Sequence, residues 1–470
     1  MRPQRTITAL TVAVALFAAG CSTRGDSSGR GDSESDEKAA AQASAAPASG
    51  DFGDLKNVCG SGNPSGSPAQ GVTAKEIHVG VMSDVGFTKN TEFADAAKAF
   101  TSWCDAAGGI NGRKLVPTVR DTKMLEVRQR VDEACRADFS LVGGSAGLDG
   151  LGVKDRLKCL LPDFPAQTVQ RQNEGAELQL SMQAGGPSYF RYAGFYDWLI
   201  KKAYPDSADG VGIISGDSPV TRVSLEQRVE FFKSRGAKPS YTDLYPASGV
   251  TNWTPYAQAI KEKKVKGLVF MGDFTSLAKL EQELTAMNYK LDWIDANSNA
   301  YGPAFTKLAG PQVLAAQNNL ADVSGIYPME KASSNPATKQ ALDLFEKYAP
   351  GKPVTLPAIK AISAWLLFAK SATSCGDDLT RACLHDAARK ETAWTGGGLQ
   401  APVNLAVQDA PVKCMNIEKA TADGWEPADF APNKGAYRCG ISSYKLKGKY
   451  GRPMTLNDVG KSLKDLKDLK

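Results

Sequence analysis

Short apolar runs alternate along most of this chain with segments whose apolar residues recur every three to four positions. From residue 72 onward, the runs predict strands and the periodic segments predict helices. The predicted strands cover residues 77–82, 114–119, 139–142, 164–169, 211–214, 240–244, 268–271 and 291–294. The predicted helices cover residues 93–106, 127–137, 151–160, 220–235, 256–263, 277–287, 339–348, 358–373 and 379–389. This alternation is typical of βαβ units, so we expect an α/β protein with two parallel sheets.

The first twenty residues have the pattern of an export signal. Arg2 and Arg5 form a cationic start, and residues 7–19 form an apolar stretch too short and too rich in alanine to span a bilayer stably. Small residues then lead into Cys21, and this start resembles a bacterial lipoprotein signal. We therefore expect residues 1–20 to be a signal peptide and Cys21 to be lipidated, which anchors an exported chain to the outer face of the cell membrane. The alternative is an ordinary cleaved signal with an incidental cysteine.

Two further segments lack the alternating pattern. Residues 21–71 carry almost no large apolar side chains, so we expect a lipid anchor followed by a disordered linker. Residues 446–470 form a basic tail with leucines at a three-residue period among lysines. This pattern predicts a frayed, solvated helix to which we assign no function.

The composition is that of a soluble globular protein with two domains. Of the 470 residues, 42% are hydrophobic and 23% are charged. The net charge of +5 is small for this length, and no basic stripe with interleaved aromatic residues is present. We therefore expect no nucleic-acid partner.

The cysteines indicate disulfides. Nine cysteines without Cys21 leave eight, an even number in an oxidising location, which predicts four disulfides. Local spacing pairs Cys375 with Cys383 and Cys414 with Cys439. Zinc is disfavoured because no C-x-x-C pair exists and the chain has only two histidines. We expect no metal and no cofactor.

One stretch carries a family resemblance. Residues 106–115 read AAGGINGRKL, in which the glycines end a helix and the Asn-Gly pair turns the chain into a strand. With the strand IHVGVM at 77–82, this string closely resembles the leucine/isoleucine/valine-binding family, the type I solute-binding proteins that serve ABC transporters. Residues 189–191 (YFR) and 251–256 (TNWTPY) resemble further parts of the same family.

The resemblance implies two Rossmann-like lobes of the type I periplasmic-binding-protein fold, each a parallel sheet flanked by helices, joined by three hinge crossovers. It assigns residues 72–190 plus 326–412 to lobe 1, and residues 191–325 plus 413–445 to lobe 2. It also suggests pairing Cys135 with Cys159, which leaves Cys59 for Cys104. A small-molecule ligand, ABC permease subunits and a monomeric state are the partners and assembly that it implies.

A ligand of this family binds between the lobes, at the carboxyl ends of the strands. After the third predicted strand, Gly144, Ser145 and Ala146 open a helix whose free backbone N–H groups, with the serine hydroxyl, would suit an anion. A plain tight turn is the alternative. Further candidates at strand ends are Asp84, Gln167, Asp217, Asp273, Phe274 and Asn297. For each of these, a turn-forming or capping role is the alternative.

The chain departs from the amino-acid binders at two places. Asp217-Ser218-Pro219 stands where they carry a Tyr-Gly pair, and Asn297 follows a strand where they place an acid. Both places concern the grip on the α-ammonium group. The ligand is therefore left open between an amino acid and another small polar or anionic solute.

No motif indicates an enzyme. Ser276 and Lys279 match S-x-x-K, but the accompanying S-D-N and K-T-G motifs are missing, and the segment reads as a helix start. We expect the substrate-binding lipoprotein of an ABC importer. A ligand-sensing surface receptor of the same fold is the first alternative, and a cell-surface hydrolase is the second.

Overall fold

The computed structural model describes residues 49–246 and 248–469. The expectations for the signal peptide, Cys21 and the first part of the linker lie outside the described residues. The described chain forms two lobes, one built on a four-stranded sheet and the other on a seven-stranded sheet. Among the helices of the described part, none is both long enough and apolar enough to cross a membrane.

The elements alternate as the hydrophobic pattern predicts. The strands are β1 (Glu76–Ser83), β2 (Lys114–Asp121), β3 (Ser140–Val142), β4 (Asp163–Phe164), β5 (Val211–Asp217), β6 (Pro239–Pro246), β7 (Gly267–Met271), β8 (Trp293–Asp295), β9 (Asn319–Asp322), β10 (Cys414–Met415), β11 (Ile417–Thr421), β12 (Gly424–Pro427) and β13 (Arg438–Cys439). The α-helices are α1 (Val85–Thr88), α2 (Glu92–Ala106), α3 (Val127–Ala137), α4 (Val153–Lys158), α5 (Ala193–Trp198), α6 (Pro219–Ser234), α7 (Thr254–Glu262), α8 (Phe274–Ala286), α9 (Pro303–Ala316), α10 (Pro336–Tyr348), α11 (Leu356–Ser374), α12 (Arg381–Arg389) and α13 (Leu463–Lys467).

Lobe 1 is a parallel sheet in the order β2-β1-β3-β4. Helix α11 has apolar residues on nearly every face, which fits its burial on nearly every face. Its Trp365 stacks on Phe100 of α2 with ring centroids 5.5 Å apart, and its Phe368 packs edge-on against Phe164 at 5.6 Å. These aromatic contacts tie the two helices and the sheet into one core.

Lobe 2 is a mixed sheet in the order β12-β11-β9-β8-β7-β5-β6. Its strands β5 to β9 are parallel, as expected for the predicted strands β5 to β8, whereas β11 pairs antiparallel with both β9 and β12. Tyr245 stacks on Phe270 at 5.7 Å and meets Trp253 edge-on at 5.0 Å beneath this sheet. The two sheets confirm the expected α/β fold with two lobes.

Three predictions of local structure differ from the observed elements. The strand predicted over 164–169 is only two residues long, because Pro165 has no N–H to donate and the ladder stops there. Helix α9 and strand β9 were not predicted. Gly310, at φ 79°, and Pro311 interrupt α9 and hide its apolar period.

The linker expectation is wrong for residues 49–71. Phe52 is fully buried and packs edge-on against Trp103, with ring centroids 5.8 Å apart. The backbone N–H of Gly53 donates to Gln340 Oε1 at 3.0 Å, and Val58 is buried in the lobe-1 core. A few apolar side chains are therefore enough to hold this polar segment on lobe 1.

The expectation of a solvated tail is also wrong. Leu456 and Leu466 are buried against Val153 and Leu157 of α4, whereas Leu463 is 44% exposed. The tail therefore leaves lobe 2 and packs on lobe 1, and only one side of its short helix faces solvent.

Four disulfides join the eight cysteines of the described part in the expected pairs. They are Cys59–Cys104, Cys135–Cys159, Cys375–Cys383 and Cys414–Cys439. The first attaches the segment before β1 to helix α2. The last crosslinks strands β10 and β13.

Candidate functional site

A cavity of about 530 Å³ lies between the two lobes. On the lobe-2 side it is bounded by the carboxyl ends of β7, β8 and β9, the edge at which parallel sheets bind ligands. The other walls are the start of α6, the crossover at residues 189–192 and the lobe-1 loop after β4. Four buried charged groups line the cavity, with Arg228, Asp295 and Asp322 from lobe 2 and Lys360 from lobe 1.

Helix α6 holds Arg228 in the lobe-2 wall. The helix starts after Ser218, whose hydroxyl accepts a hydrogen bond from the backbone N–H of Thr221 at 3.2 Å. The Arg228 side chain is buried, and its Nε donates to Tyr196 Oη at 2.9 Å. Its Cζ lies 5.0 Å from the centre of the Tyr192 ring, within the range of a cation–π contact. The guanidinium is therefore fixed in one orientation.

A hydroxyl links this cation to a carboxylate. Tyr196 Oη donates to Asp295 Oδ2 at 2.6 Å, and the backbone N–H of Asn297 donates to Asp295 Oδ1 at 2.9 Å. Burial raises the pKa of Asp295, whereas nearby Arg228 opposes the increase. The lobe-2 wall is thus a rigid hydrogen-bonded chain from guanidinium to carboxylate.

The same wall carries an unpartnered amide. Gln227 Nε2 is buried and has no hydrogen-bond partner among the described residues, and its side chain lines the cavity. A buried N–H donor without an acceptor is costly. A ligand atom that accepts from Gln227 would therefore gain binding energy at this position.

Arg191 lies at the crossover between the lobes. Its Nη1 donates to Gln183 Oε1 at 3.1 Å and its Nη2 donates to Glu174 Oε1 at 3.0 Å. Glu174 also pairs with Arg171. These two bonds use two of the five N–H donors of Arg191, so its guanidinium both shapes the cavity edge and keeps donors for a ligand.

Two titratable groups form the floor of the cavity. Lys360 projects from α11 of lobe 1, and Asp322 ends β9 of lobe 2. Burial lowers the pKa of Lys360 to about 8 and raises the pKa of Asp322 to about 7. Asp322 Oδ1 accepts from the backbone N–H of Ser324 at 2.8 Å. The floor therefore carries charge from both lobes at the place where they meet.

Of the predicted ligand residues, Gln167 and Asn297 line the cavity. Gly144, Ser145 and Ala146 instead line a separate space of about 30 Å³ within lobe 1, which Gln167 also touches. Of the three amides expected to be free, that of Ser145 donates to Met82 O at 2.9 Å. The ligand role of this loop stays a prediction.

Asp84 acts on its own lobe. Its Oδ2 accepts from the backbone N–H of Gly147 at 2.6 Å, and its Oδ1 accepts from that of Met124 at 2.9 Å and from the Thr122 hydroxyl. The carboxylate thus joins the loops after β1, β2 and β3. It does not line the cavity between the lobes.

The other strand-end candidates in lobe 2 also serve local structure. Asp217 pairs with Arg222 through two contacts, at 2.5 and 2.8 Å, on the exposed start of α6. Asp273 caps α8 by accepting from the Ser276 backbone N–H at 2.8 Å. Phe274 packs against the lobe-2 core. None of these three residues lines the cavity.

The buried charged residues of the cavity are not among the ligand residues predicted from the sequence. A detectable signal was present at Lys360, which is a lysine in the apolar helix α11 with buried neighbours on both sides. A signal was also present at Asp295, which is an acidic residue two positions before Asn297. Arg228 gave no comparable signal, because α6 carries charged residues along its whole length.

Ser276 and Lys279 do not form a catalytic dyad of the S-x-x-K kind. Ser276 is buried at the start of α8, whereas Lys279 is exposed. No group of three or more metal-ligating side chains occurs in the part of the chain that the structure describes.

Comparisons with known proteins agree with this architecture. A family model described as "Periplasmic binding protein" matches residues 165–424, more than half of the chain. No curated protein sequence matches.

Several solved structures have the same fold. A fatty acid ABC transporter substrate-binding protein from Thermomonospora curvata is 18% identical, with a TM-score of 0.62 over 81% of this chain and 95% of that one. A leucine binding protein, LivK, from Thermotoga maritima is 13% identical, with a TM-score of 0.61 over 75% and 97%. The protein LivJ from Streptococcus pneumoniae, in complex with isoleucine, is 15% identical, with a TM-score of 0.57 over 75% and 99%.

Identities this low establish the fold alone, whereas the family model establishes membership. A family of binding proteins also supports the expectation that the chain is not an enzyme and that it is exported. By the match over residues 165–424, and by its two lobes around one cavity, this chain belongs to the periplasmic binding protein family.

Proposed function

We propose that this protein is the solute-binding component of an ABC importer and that it holds one small polar or anionic solute between its lobes. The observation that carries the proposal is the interlobe cavity of about 530 Å³, whose buried charged groups come from both lobes. A solute that contacts both walls stabilises the closed arrangement of the lobes, and a permease can recognise this closed form.

The names of similar proteins narrow the solute class. One solved relative is named for fatty acids, one for leucine, and one was solved with isoleucine. These ligands differ in size and in the presence of an amino group, but each carries one carboxylate. A carboxylate-containing solute is therefore the class that we propose for this chain.

The cellular arrangement follows from the start of the sequence. Lipidation of Cys21 would tether the monomeric protein to the outer membrane face, where a captured solute is close to the permease subunits. Labelling of cells with an alkyne-bearing fatty acid tests the anchor. We expect label on the wild type and none on Cys21→Ser, while label on both would refute lipidation at this residue.

Binding is tested by the melting temperature of the full chain in the presence of amino acids, fatty acids, short peptides, amides and sugars. A solute that binds only the folded state raises the melting temperature. Val223→Trp, on the cavity side of α6, should abolish the increase by filling the site. Glu226→Trp, exposed on the same helix, is the matched control and should keep it.

The melting temperatures of the two variants show where the solute binds. An increase that is lost only in Val223→Trp supports solute binding between the lobes. An increase that survives in Val223→Trp places the solute elsewhere, and no increase with any solute contradicts the proposed function.

A further inference from the structure

The lysine on the floor of the cavity has no acceptor for its ammonium group. Lys360 is only 6% exposed, and among the described residues it makes neither a hydrogen bond nor an ion pair. An ammonium group that is buried to this extent loses much of its hydration and gains no protein partner in return.

The charged groups around Lys360 do not accept a hydrogen bond from its ammonium group. Arg191, Asp322 and Glu92 act on it electrostatically, without a direct contact. Arg191 is itself a cation, and Glu92 accepts a hydrogen bond from the Thr355 hydroxyl at 2.5 Å. Three N–H donors of Lys360 therefore point into surroundings that offer no acceptor from the described chain.

The cavity supplies the missing space. Lys360 lines the main cavity and also a second space of about 20 Å³ that shares Arg191 and Asp322 with it, so an atom of a bound solute can reach the ammonium group. Two buried carboxyl groups, Asp295 and Asp322, share the same cavity and disfavour an anion of high charge. A singly charged acceptor group meets both conditions.

We propose that Lys360 is the anchor for the carboxylate of the solute, which it binds through a charge-assisted hydrogen bond on the floor of the cavity. This inference rests on the proposed solute-binding function and adds a specific residue and a specific group to it. It shifts the anion site from the loop of Ser145, suggested by the sequence, to helix α11 of the same lobe. The remainder of the solute would extend toward Arg228 on the opposite wall.

The test compares matched pairs of probes that differ only at this group. Octanoate and octanamide form one pair, and 4-methylpentanoate and 4-methylpentanamide form the other. Calorimetric titration measures their affinities for the full-length wild type, Lys360→Met, Lys360→Arg and the control Lys154→Met, an exposed lysine of α4. Because a hydrogen bond to a charged group is stronger than a neutral one, we expect carboxylates to bind about 10- to 100-fold more tightly than amides.

That preference should persist in Lys154→Met and Lys360→Arg and should disappear in Lys360→Met. Equal affinities for carboxylate and amide in the wild type, or a preference that survives in Lys360→Met, would overturn the role of Lys360 while leaving solute binding intact. Absence of binding for every probe, free leucine included, would contradict the role of Lys360 and the proposed function together.

A second measurement does not depend on the variants folding. The rate at which acetic anhydride modifies Lys360 in the wild type can be followed by peptide mass spectrometry. We expect octanoate to slow this reaction and octanamide to leave it unchanged, with Lys154 unaffected by either. Equal rates at Lys360 with and without octanoate would overturn the proposal.

Discussion

Replacement of Glu281 by glutamine should remove a large part of the pH dependence of stability in lobe 2. Glu281 is fully buried on α8, and its Oε2 accepts a hydrogen bond from Asn319 Nδ2 at 2.8 Å. Its Oε1 and Asn319 Oδ1 are buried acceptors without partners among the described residues. When the carboxyl group is protonated, its O–H can donate to Asn319 Oδ1. Burial raises the pKa of Glu281 to about 8.

The magnitude follows from the difference between the folded and unfolded pKa values. Glu281 titrates near 4.5 when unfolded and near 8 when folded, so the folded chain binds the extra proton between these pH values. Its contribution to stability is complete below pH 4.5 and is lost as the pH rises to 8. At about 1.4 kcal/mol for each pH unit, the full loss is about 4 to 5 kcal/mol.

Glutamine can make both hydrogen bonds of the protonated pair without a titrating group, since its amide can donate to Asn319 Oδ1 and accept from Asn319 Nδ2. The free energy of unfolding of Glu281→Gln should therefore be within about 1 kcal/mol of the wild type at pH 5. At pH 8 the variant should be more stable than the wild type by up to about 4 kcal/mol.

Urea unfolding of the full chain at intervals from pH 5 to pH 8, followed by tryptophan fluorescence, measures this difference. Glu262→Gln, an exposed glutamate of α7, is the control and should follow the wild type at every pH. Parallel curves for Glu281→Gln and the wild type over the whole range would show that Glu281 does not titrate between the two pH values. A loss of several kcal/mol in the variant at pH 5 would contradict the prediction as well.

Three other predictions concern stability. Leu466→Ala should lower the free energy of unfolding, measured with urea, by about 2 to 5 kcal/mol. Leu463→Ala, at an exposed position, should change it little. Equal effects of the two substitutions would mean that the tail does not pack on lobe 1. Replacing both Cys59 and Cys104 by serine should cost about 4 kcal/mol, from a sequence separation of 45 residues, and an unchanged melting temperature would contradict the disulfide. Asp84→Ala should lower the melting temperature without changing the affinity for a cavity ligand, and a selective loss of affinity would restore its predicted ligand role.

The fold was predictable because its signals are local. Strands β1, β2 and β5 are short apolar runs, and α3 spans the same residues as the predicted helix. The prediction failed where a local signal was interrupted, as at Gly310 and Pro311 in α9. It also failed where a few residues such as Phe52 and Leu466 find distant partners, because sequence periodicity contains no information about those partners.

The site was less predictable because polar residues at strand ends have two uses. Asp84 and Asp273 satisfy nearby backbone N–H groups of their own lobe, while Gln167 and Asn297 at equivalent ends face the cavity. Sequence position alone does not distinguish these uses. Lys360 reaches the cavity only because lobe 1 is completed by a helix far along the chain.

The most direct test of solute binding between the lobes is a crystal structure of the full-length protein with the solute that most increases its melting temperature. We expect electron density for the solute in the cavity between Arg228 and Lys360, with its carboxylate at the lysine ammonium group. Density for the solute elsewhere, with this cavity holding only water, would contradict solute binding between the lobes.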